Sequence, residues 1–195
     1  SPPKEMHVTG FYALGDSRTS SWTDLFGLPY PGTSVGNTDV VDELALGWYS
    51  LNRNGSLLTD SGTGWQRPDG WENVLKAAEK YGLSAEMVVH VTDGDGTLTS
   101  LLGNDAAVAA AVTGIMGEAS MYGGINLDFE GLGLSDDEMQ LPATREAFNR
   151  FVRLLSERAH GAGLRLTLSL HAPNSAYRGY DYKTLSEYAD KIIVM

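Results

Sequence analysis

Six stretches of the chain carry the apolar and polar patterning of strands, and helical spacing recurs between most of them. The predicted strands are residues 6–14 (MHVTGFYAL), 40–51 (VVDELALGWYSL), 84–91 (SAEMVVHV), 122–130 (YGGINLDFE), 164–170 (LRLTLSL) and 191–195 (KIIVM). Trp71, Val74, Leu75 and Ala78 recur at helical spacing over residues 71–81, and Gly82 supplies the stop. Asn104 is an N-cap for an Ala-rich helix running to about Tyr122. A further helix spans about residues 143–160 before Gly161-Ala162-Gly163, and a short one covers residues 182–189. Residues 15–38 are rich in Gly, Pro, Ser and Thr and read as a long loop or short helical turns at best, with Trp22, Phe26 and Tyr30 as loop-packing aromatics or a sugar platform. After the turn signal Asn52-Arg53-Asn54-Gly55, loop continues to Gly70.

Regular alternation of strand and helix argues for a parallel sheet with right-handed crossovers. A doubly wound open sheet and a (β/α)8 TIM barrel both satisfy it. Gly15-Asp16-Ser17 after the first strand lacks the G-x-G-x-x-G of a dinucleotide-binding sheet, and polar groups at the carboxyl ends of strands suit the barrel. The expected architecture is therefore a single barrel-type domain over residues 1–195. Six strands are counted where a closed barrel has eight in about 250 residues, so the domain reads as incomplete at its C-terminal end, a fragment or a partial barrel. The first and last strands would then be open edges. On that expectation the 195-residue chain alone is inactive, poorly stable or prone to self-association.

Strand four carries the chemistry. Ile125, Leu127 and Phe129 fall on one face, and Asn126, Asp128 and Glu130 on the other. A solvated edge strand would put those polar groups in water, but parallel strands in βα folds are covered on both faces. Carboxylates lining an interior are costly without partners, so such a row points to a site. Asp128 and Glu130, two residues apart, would place their carboxyls roughly 6 to 7 Å from each other. Ionising one disfavours ionising the other, which raises one pKa towards neutrality. Glu130, nearer the strand's carboxyl end, is the candidate proton donor; Asp128, one layer deeper, would orient a substrate group or hold Glu130's proton. A two-carboxylate glycosidase is the natural class, yet strand four offers no second carboxylate across a sugar ring from Glu130. Alternatively the substrate's own 2-acetamido oxygen attacks the anomeric carbon, and one protein acid suffices.

The run Gly-Gly-Ile-Asn-Leu-Asp-Phe-Glu, residues 123–130, resembles the D-x-x-D-x-D-x-E signature of family 18 glycoside hydrolases, the chitinases and endo-β-N-acetylglucosaminidases. Its wording is particularly similar to the bacterial spore-cortex and wall-lytic branch. Tyr180-Asp181-Tyr182-Lys183 and the stretch Tyr188 to Met195 resemble that branch's approach to strand six. The resemblance implies a βα barrel, substrate-assisted retaining hydrolysis, Glu130 as catalytic acid and Asp128 as the residue orienting the acetamide. The signature's first Asp falls on Gly123 and its second on Asn126, a candidate substrate-binding position. Losing the second Asp should leave Asp128 more readily ionised. The family's strand six continues from Met into a Tyr and an Asp that bind the reacting sugar, and a Trp on its last strand forms the pocket floor; this chain ends at Met195. Tyr12 and His171 are further substrate-contact candidates; Tyr12 could instead pack the barrel, and His171 could be a hydrogen-bonded structural histidine, a choice that also applies to Tyr177.

Composition narrows the partners. Formal net charge is -11, and no Lys/Arg cluster offers the basic footprint of a nucleic-acid binder. Cysteine is absent, so there is no disulfide framework and no thiolate zinc site. No apolar run approaches the roughly 18 residues of a membrane span. The chain opens Ser1-Pro2-Pro3-Lys4-Glu5, without an initiator Met or a signal-peptide pattern, which reads as a trimmed start. Thr92-Asp93-Gly94-Asp95-Gly96 resembles the opening of a calcium loop but lacks the later ligands, and a polar turn suffices; neither a metal nor a cofactor is expected. The resemblance implies an N-acetylglucosamine-containing polysaccharide, peptidoglycan before chitin, and a secreted, wall or spore location. The alternatives are a non-catalytic glycan-binding barrel, against which Glu130 argues because binding needs no proton donor, and a structural domain of wall or spore coat.

Overall fold

The computed structural model describes residues 6–12, 26 and 36–195. The strands are β1 (Thr9–Tyr12), β2 (Glu43–Leu51), β3 (Leu57–Leu58), β4 (Ser84–Thr92), β5 (Gly124–Glu130), β6 (Arg165–Leu170) and β7 (Lys191–Val194). The helices are α1 (Trp71–Lys80), α2 (Thr97–Leu102), α3 (Asp105–Ala119), α4 (Leu141–Gly161) and α5 (Tyr182–Tyr188). The sheet order is β1-β2-β4-β5-β6-β7, with each neighbouring pair parallel, and β3 adds only a short antiparallel pairing to β2. This is the curled sheet of an open βα half-barrel. Among the described residues, no helix is long and apolar enough to cross a membrane.

Alternation along each strand sorts side chains into two layers. Leu44, Leu46, Met87, Val89, Ile125, Leu127, Phe129, Leu166 and Leu168 are buried in the main core with Val108, Ile115, Phe151, Val152 and Leu155 of the helices. The Phe129 ring lies 5.3 Å from that of Phe151 and 5.9 Å from that of Phe148, which fixes the carboxyl end of β5 against α4. The predicted N-cap holds: the Asn104 side chain accepts from the backbone N–H groups of Ala106 and Ala107 and starts α3. The pairing of β2 with β4 shifts register between Leu46 and Tyr49, around Gly47. Trp48 Nε1 and Tyr49 Oη, although consecutive, therefore both bond Tyr122 Oη, at 2.9 and 3.0 Å.

Two short elements escape the sequence pattern. Helix α2 has six residues, fewer than a periodicity window needs. It starts where the calcium-like turn was read, and the Asp93 carboxylate accepts from Thr99 N–H and Thr99 Oγ1, both at 2.7 Å. Strand β3 exists only as the return of a hairpin from β2. Of the predicted first strand, Thr9–Tyr12 form β1, residues 6–8 do not, and residues 13–14 lie outside the described residues; Phe26 stacks on Tyr81 with ring centroids 6.0 Å apart. Trp22 and Tyr30 lie outside the described residues.

The concave face is polar at its amino end. Glu43 of β2 and Glu86 of β4 are 0% and 2% exposed. Lys191, across the sheet on β7, bonds Glu43, sits 3.2 Å from Glu86 and donates to Thr9 Oγ1 at 3.3 Å. Arg165 Nη2 meets the other Glu43 oxygen at 3.0 Å, Thr167 donates to Glu86, and Asn126 Nδ2 donates to Glu86 at 2.9 Å. Burial by itself would raise the Glu43 pKa, but hydrogen bonds from Lys191 and His7, the Lys191 charge and the Thr9 hydroxyl outweigh it and hold the carboxyl below its ordinary value. The opposite ends of the sheet are thus tied through one ammonium group.

Replacing Lys191 by Met should cost about 3 kcal/mol in urea unfolding, at the low end for an unpaired buried charge because Arg165 still bonds Glu43. Since the native Glu43 pKa is depressed, its contribution is complete above the unfolded value of about 4.3 and is lost as pH falls through the native one. The loss of stability on acidification should therefore be shallower in Glu43→Gln, as urea midpoints between roughly pH 6 and 3 will test.

Candidate active site

A cavity of about 850 Å³ opens at the carboxyl end of the concave face, lined among others by Phe11, Tyr12, Trp65, His90, Asp128, Glu130 and Met195. Its acidic side chains are Asp128 and Glu130, both on β5. The Glu130 backbone is held from three directions. Its carbonyl accepts from Asp93 N–H at 2.9 Å, the preceding Phe129 carbonyl accepts from Tyr180 Oη at 2.6 Å, and the following Gly131 N–H donates to His171 Nε2 at 3.2 Å. Gly131 has φ +92°, and a Cβ there would meet Asp93 at 3.4 Å, so a side chain would strain the turn that ends the strand.

Asp128 and Glu130 approach more closely than strand spacing alone suggests. One carboxylate oxygen of each and one ring nitrogen of His90 all lie within 4.8 Å of one another. His90 stands directly beside Asp128 in the β4–β5 register. Its Nδ1 donates to the Ser61 carbonyl at 2.6 Å, which turns Nε2 towards Glu130 Oε1, 3.3 Å away. The Ser61 carbonyl is placed by a hairpin-like loop: Ser61 N–H donates to the Trp65 carbonyl at 2.7 Å, and Arg67 N–H to the Thr59 carbonyl at 2.8 Å. Arg67 anchors that loop to the scaffold through Tyr49 and Glu118, each at 3.0 Å, with its guanidinium 4.3 Å from the Trp71 ring centroid. One strut thereby sets His90 and holds the Trp65 backbone.

Of the two carboxyls on this face, Asp128 is shifted towards neutrality. Burial first, and then the neighbouring Glu130 charge, push its carboxyl up to about 7. The neutral Asn126 beneath adds no further like charge, so burial and Glu130 account for the rise. Asp128 Oδ1 is buried with no hydrogen-bond partner among the described residues. Asp128 is thus the carboxyl of this face that can hold a proton near neutral pH.

The other candidates divide. Tyr12 lines the cavity with Asp128 and Glu130. Asn126 is fully buried, its amide donating to Glu86 and accepting from Ser169 Oγ at 2.9 Å, so it presents no surface to a ligand and belongs to the layer beneath the site. His171 is the hydrogen-bonded histidine: its Nε2 accepts from Gly131, its ring stacks on Tyr177 with centroids 4.1 Å apart, and its carbonyl accepts from Tyr182 Oη at 2.6 Å. Burial lowers its pKa, which keeps Nε2 free to accept. His90 and Trp65 are the cavity residues that the sequence reading passed over. Glu86, Val88 and His90 share one face of their strand, the same alternation that exposed Asp128 and Glu130, while Trp65 is a large aromatic set among turn residues with little to pack against.

No protein-family profile matches the chain, and no curated protein matches it by sequence. Solved structures do match. The C-terminal domain of a putative chitinase from Desulfitobacterium hafniense superposes with a TM-score of 0.74 at 19% identity, over 97% of this chain and 54% of that one. The spore cortex-lytic enzyme SleL of Bacillus megaterium gives 0.74 at 18% identity, over 100% and 43%. The Group IV chitinase of Ostrinia furnacalis, in complex with allosamidin, gives 0.74 at 17%, over 98% and 50%. The chain spans about half the length of these structures, and the shared feature is the barrel fold. They are chitinases and a cortex-lytic enzyme, the kinds of protein that the residue 123–130 wording resembles.

The native Asp128 pKa is raised, so between the unfolded value of about 3.9 and about 7 the native state binds more protons and stability falls as pH rises. Asp128→Asn should therefore unfold at higher urea than the parent at pH 8, with the difference shrinking towards pH 4.

Proposed function

We propose that this chain carries the catalytic acid of a glycoside hydrolase that cleaves β-1,4 links beside N-acetylglucosamine, in peptidoglycan before chitin, by substrate-assisted retention. The observation that supports it most is the placement of Glu130 on the cavity wall with Asp128 behind it and no other acid lining the cavity among the described residues. Two carboxylates on one side of one strand cannot flank a sugar ring from opposite faces, as a retaining pair must. The nucleophile then comes from the substrate, and the 2-acetamido oxygen is the group within reach of the anomeric carbon.

In this scheme Glu130 donates a proton to the departing glycosidic oxygen. The anomeric carbon then bonds to the acetamido oxygen, forming an oxazolinium ring, and Asp128 stabilises the acetamide N–H as positive charge develops. Water attacks the same carbon, the ring opens, and Glu130 recovers its proton from that water. Trp65, half exposed beside Phe11 and Tyr12, offers an apolar ring face to a sugar. A polymer substrate of this kind implies work in the wall, the spore or outside the cell.

Mass spectrometry of peptidoglycan and chitin oligomers treated with the longest product of this reading frame should detect fragments with reducing N-acetylglucosamine ends. Glu130→Gln should lower their rate of formation by at least about 10²-fold, the scale of a lost general acid. Undiminished cleavage by that variant, or intact substrate from a folded parent, would remove the reading and favour glycan binding without catalysis.

A further inference from the structure

The His90–Asp128–Glu130 cluster has the donor set of a cation site. One atom from each residue lies within 4.8 Å of the other two, and His90 Nε2 is 3.3 Å from Glu130 Oε1. Ligand atoms on a tetrahedral zinc ion, with bonds near 2.0–2.1 Å, sit roughly 3.4 Å apart, so the group can close on an ion through side-chain rotation. The outer shell is already in place. His90 Nδ1–H is committed to the Ser61 carbonyl, which fixes the tautomer whose Nε2 lone pair faces the carboxylates, the arrangement that orients metal-bound histidines. Within the cluster, Asp128 Oδ1 is buried and without a hydrogen-bond partner among the described residues. The three residues sit on adjacent strands paired in register, not on loops, so their spacing is set by the sheet.

We propose that His90, Asp128 and Glu130 bind a zinc-class divalent cation, and that this ion shuts off the site by taking the lone pairs Glu130 needs to carry its proton. The imidazole nitrogen selects zinc and its neighbours over calcium and magnesium, which require more oxygen ligands than this cluster offers. The inhibitory consequence rests on Glu130 being the proton donor; the binding does not.

The test is calorimetric titration of the full chain with zinc sulfate in a buffer that does not chelate it. One zinc ion per chain is expected, at micromolar affinity. His90→Gln and Glu130→Gln should each weaken it by about tenfold or more. His160→Gln, which removes a histidine–carboxylate pair away from the site, His160 with Asp190 at 2.8 Å, should leave it unchanged. Calcium and magnesium should not compete. The proposal is overturned if the folded parent takes up no zinc at about millimolar concentration, if either ligand variant binds undiminished, or if His160→Gln abolishes binding. Should His90→Gln fail to fold by circular dichroism, Glu130→Gln carries the same decision. Zinc binding with no hydrolysis of any glycan would leave this site standing while removing the glycosidase reading.

Discussion

Two carboxylates that water cannot reach, Glu43 and Glu86, set the terms for the rest of the half-barrel. Taking such groups out of solvent costs several kcal/mol each unless a partner of opposite charge and further hydrogen bonds compensate. The compensation comes from across the sheet: Lys191 on β7 contacts both, and also Thr9 on β1. A flat sheet would hold these strands far apart, because β1 and β7 are separated by four others. Satisfying the buried acids therefore requires the curl, and the curl creates the concave face at whose carboxyl end the cavity forms.

The layers above inherit that geometry. Asn126 connects the ionic layer to β6 by donating to Glu86 and accepting from Ser169. Above it, His90 and Asp128 are neighbours in register, and Glu130 closes the strand. Polarity thus continues up the interior of the curl, from paired charges at the bottom to His90, Asp128 and Glu130 at the top. What differs is compensation. The lower carboxylates are matched by Lys191 and Arg165, whereas Asp128 has no Lys or Arg partner among the described residues, and its pKa rises to about 7.

Much of this was legible in the chain. The strand–helix alternation, the N-cap at Asn104 and the two faces of residues 124–130 follow from periodicity, and all appear in the structure. Asn126 misled because alternation assigns a face but not a depth; it shares a face with Asp128 yet lies a layer lower, where Glu86 and Ser169 occupy it. His90 and Lys191 were written inside predicted strands but not singled out, since their importance arises from residues about 40 and about 150 positions away. Trp65 was hidden for another reason: the loop that aims it is built from backbone hydrogen bonds and the Arg67 anchor, neither of which has a periodic signature.

The proposed role of Glu130, beside Asp128 and with no other acid lining the cavity among the described residues, makes a stereochemical statement. Proton NMR of the first product released from a β-linked N-acetylglucosamine oligomer, recorded before mutarotation, tests it directly. Attack by the substrate's own acetamido oxygen followed by water gives net retention, so the β-anomer should form first. Initial release of the α-anomer would mean that water attacks in a single inverting step with a protein base opposite Glu130, and would contradict the role assigned to Asp128 and Glu130.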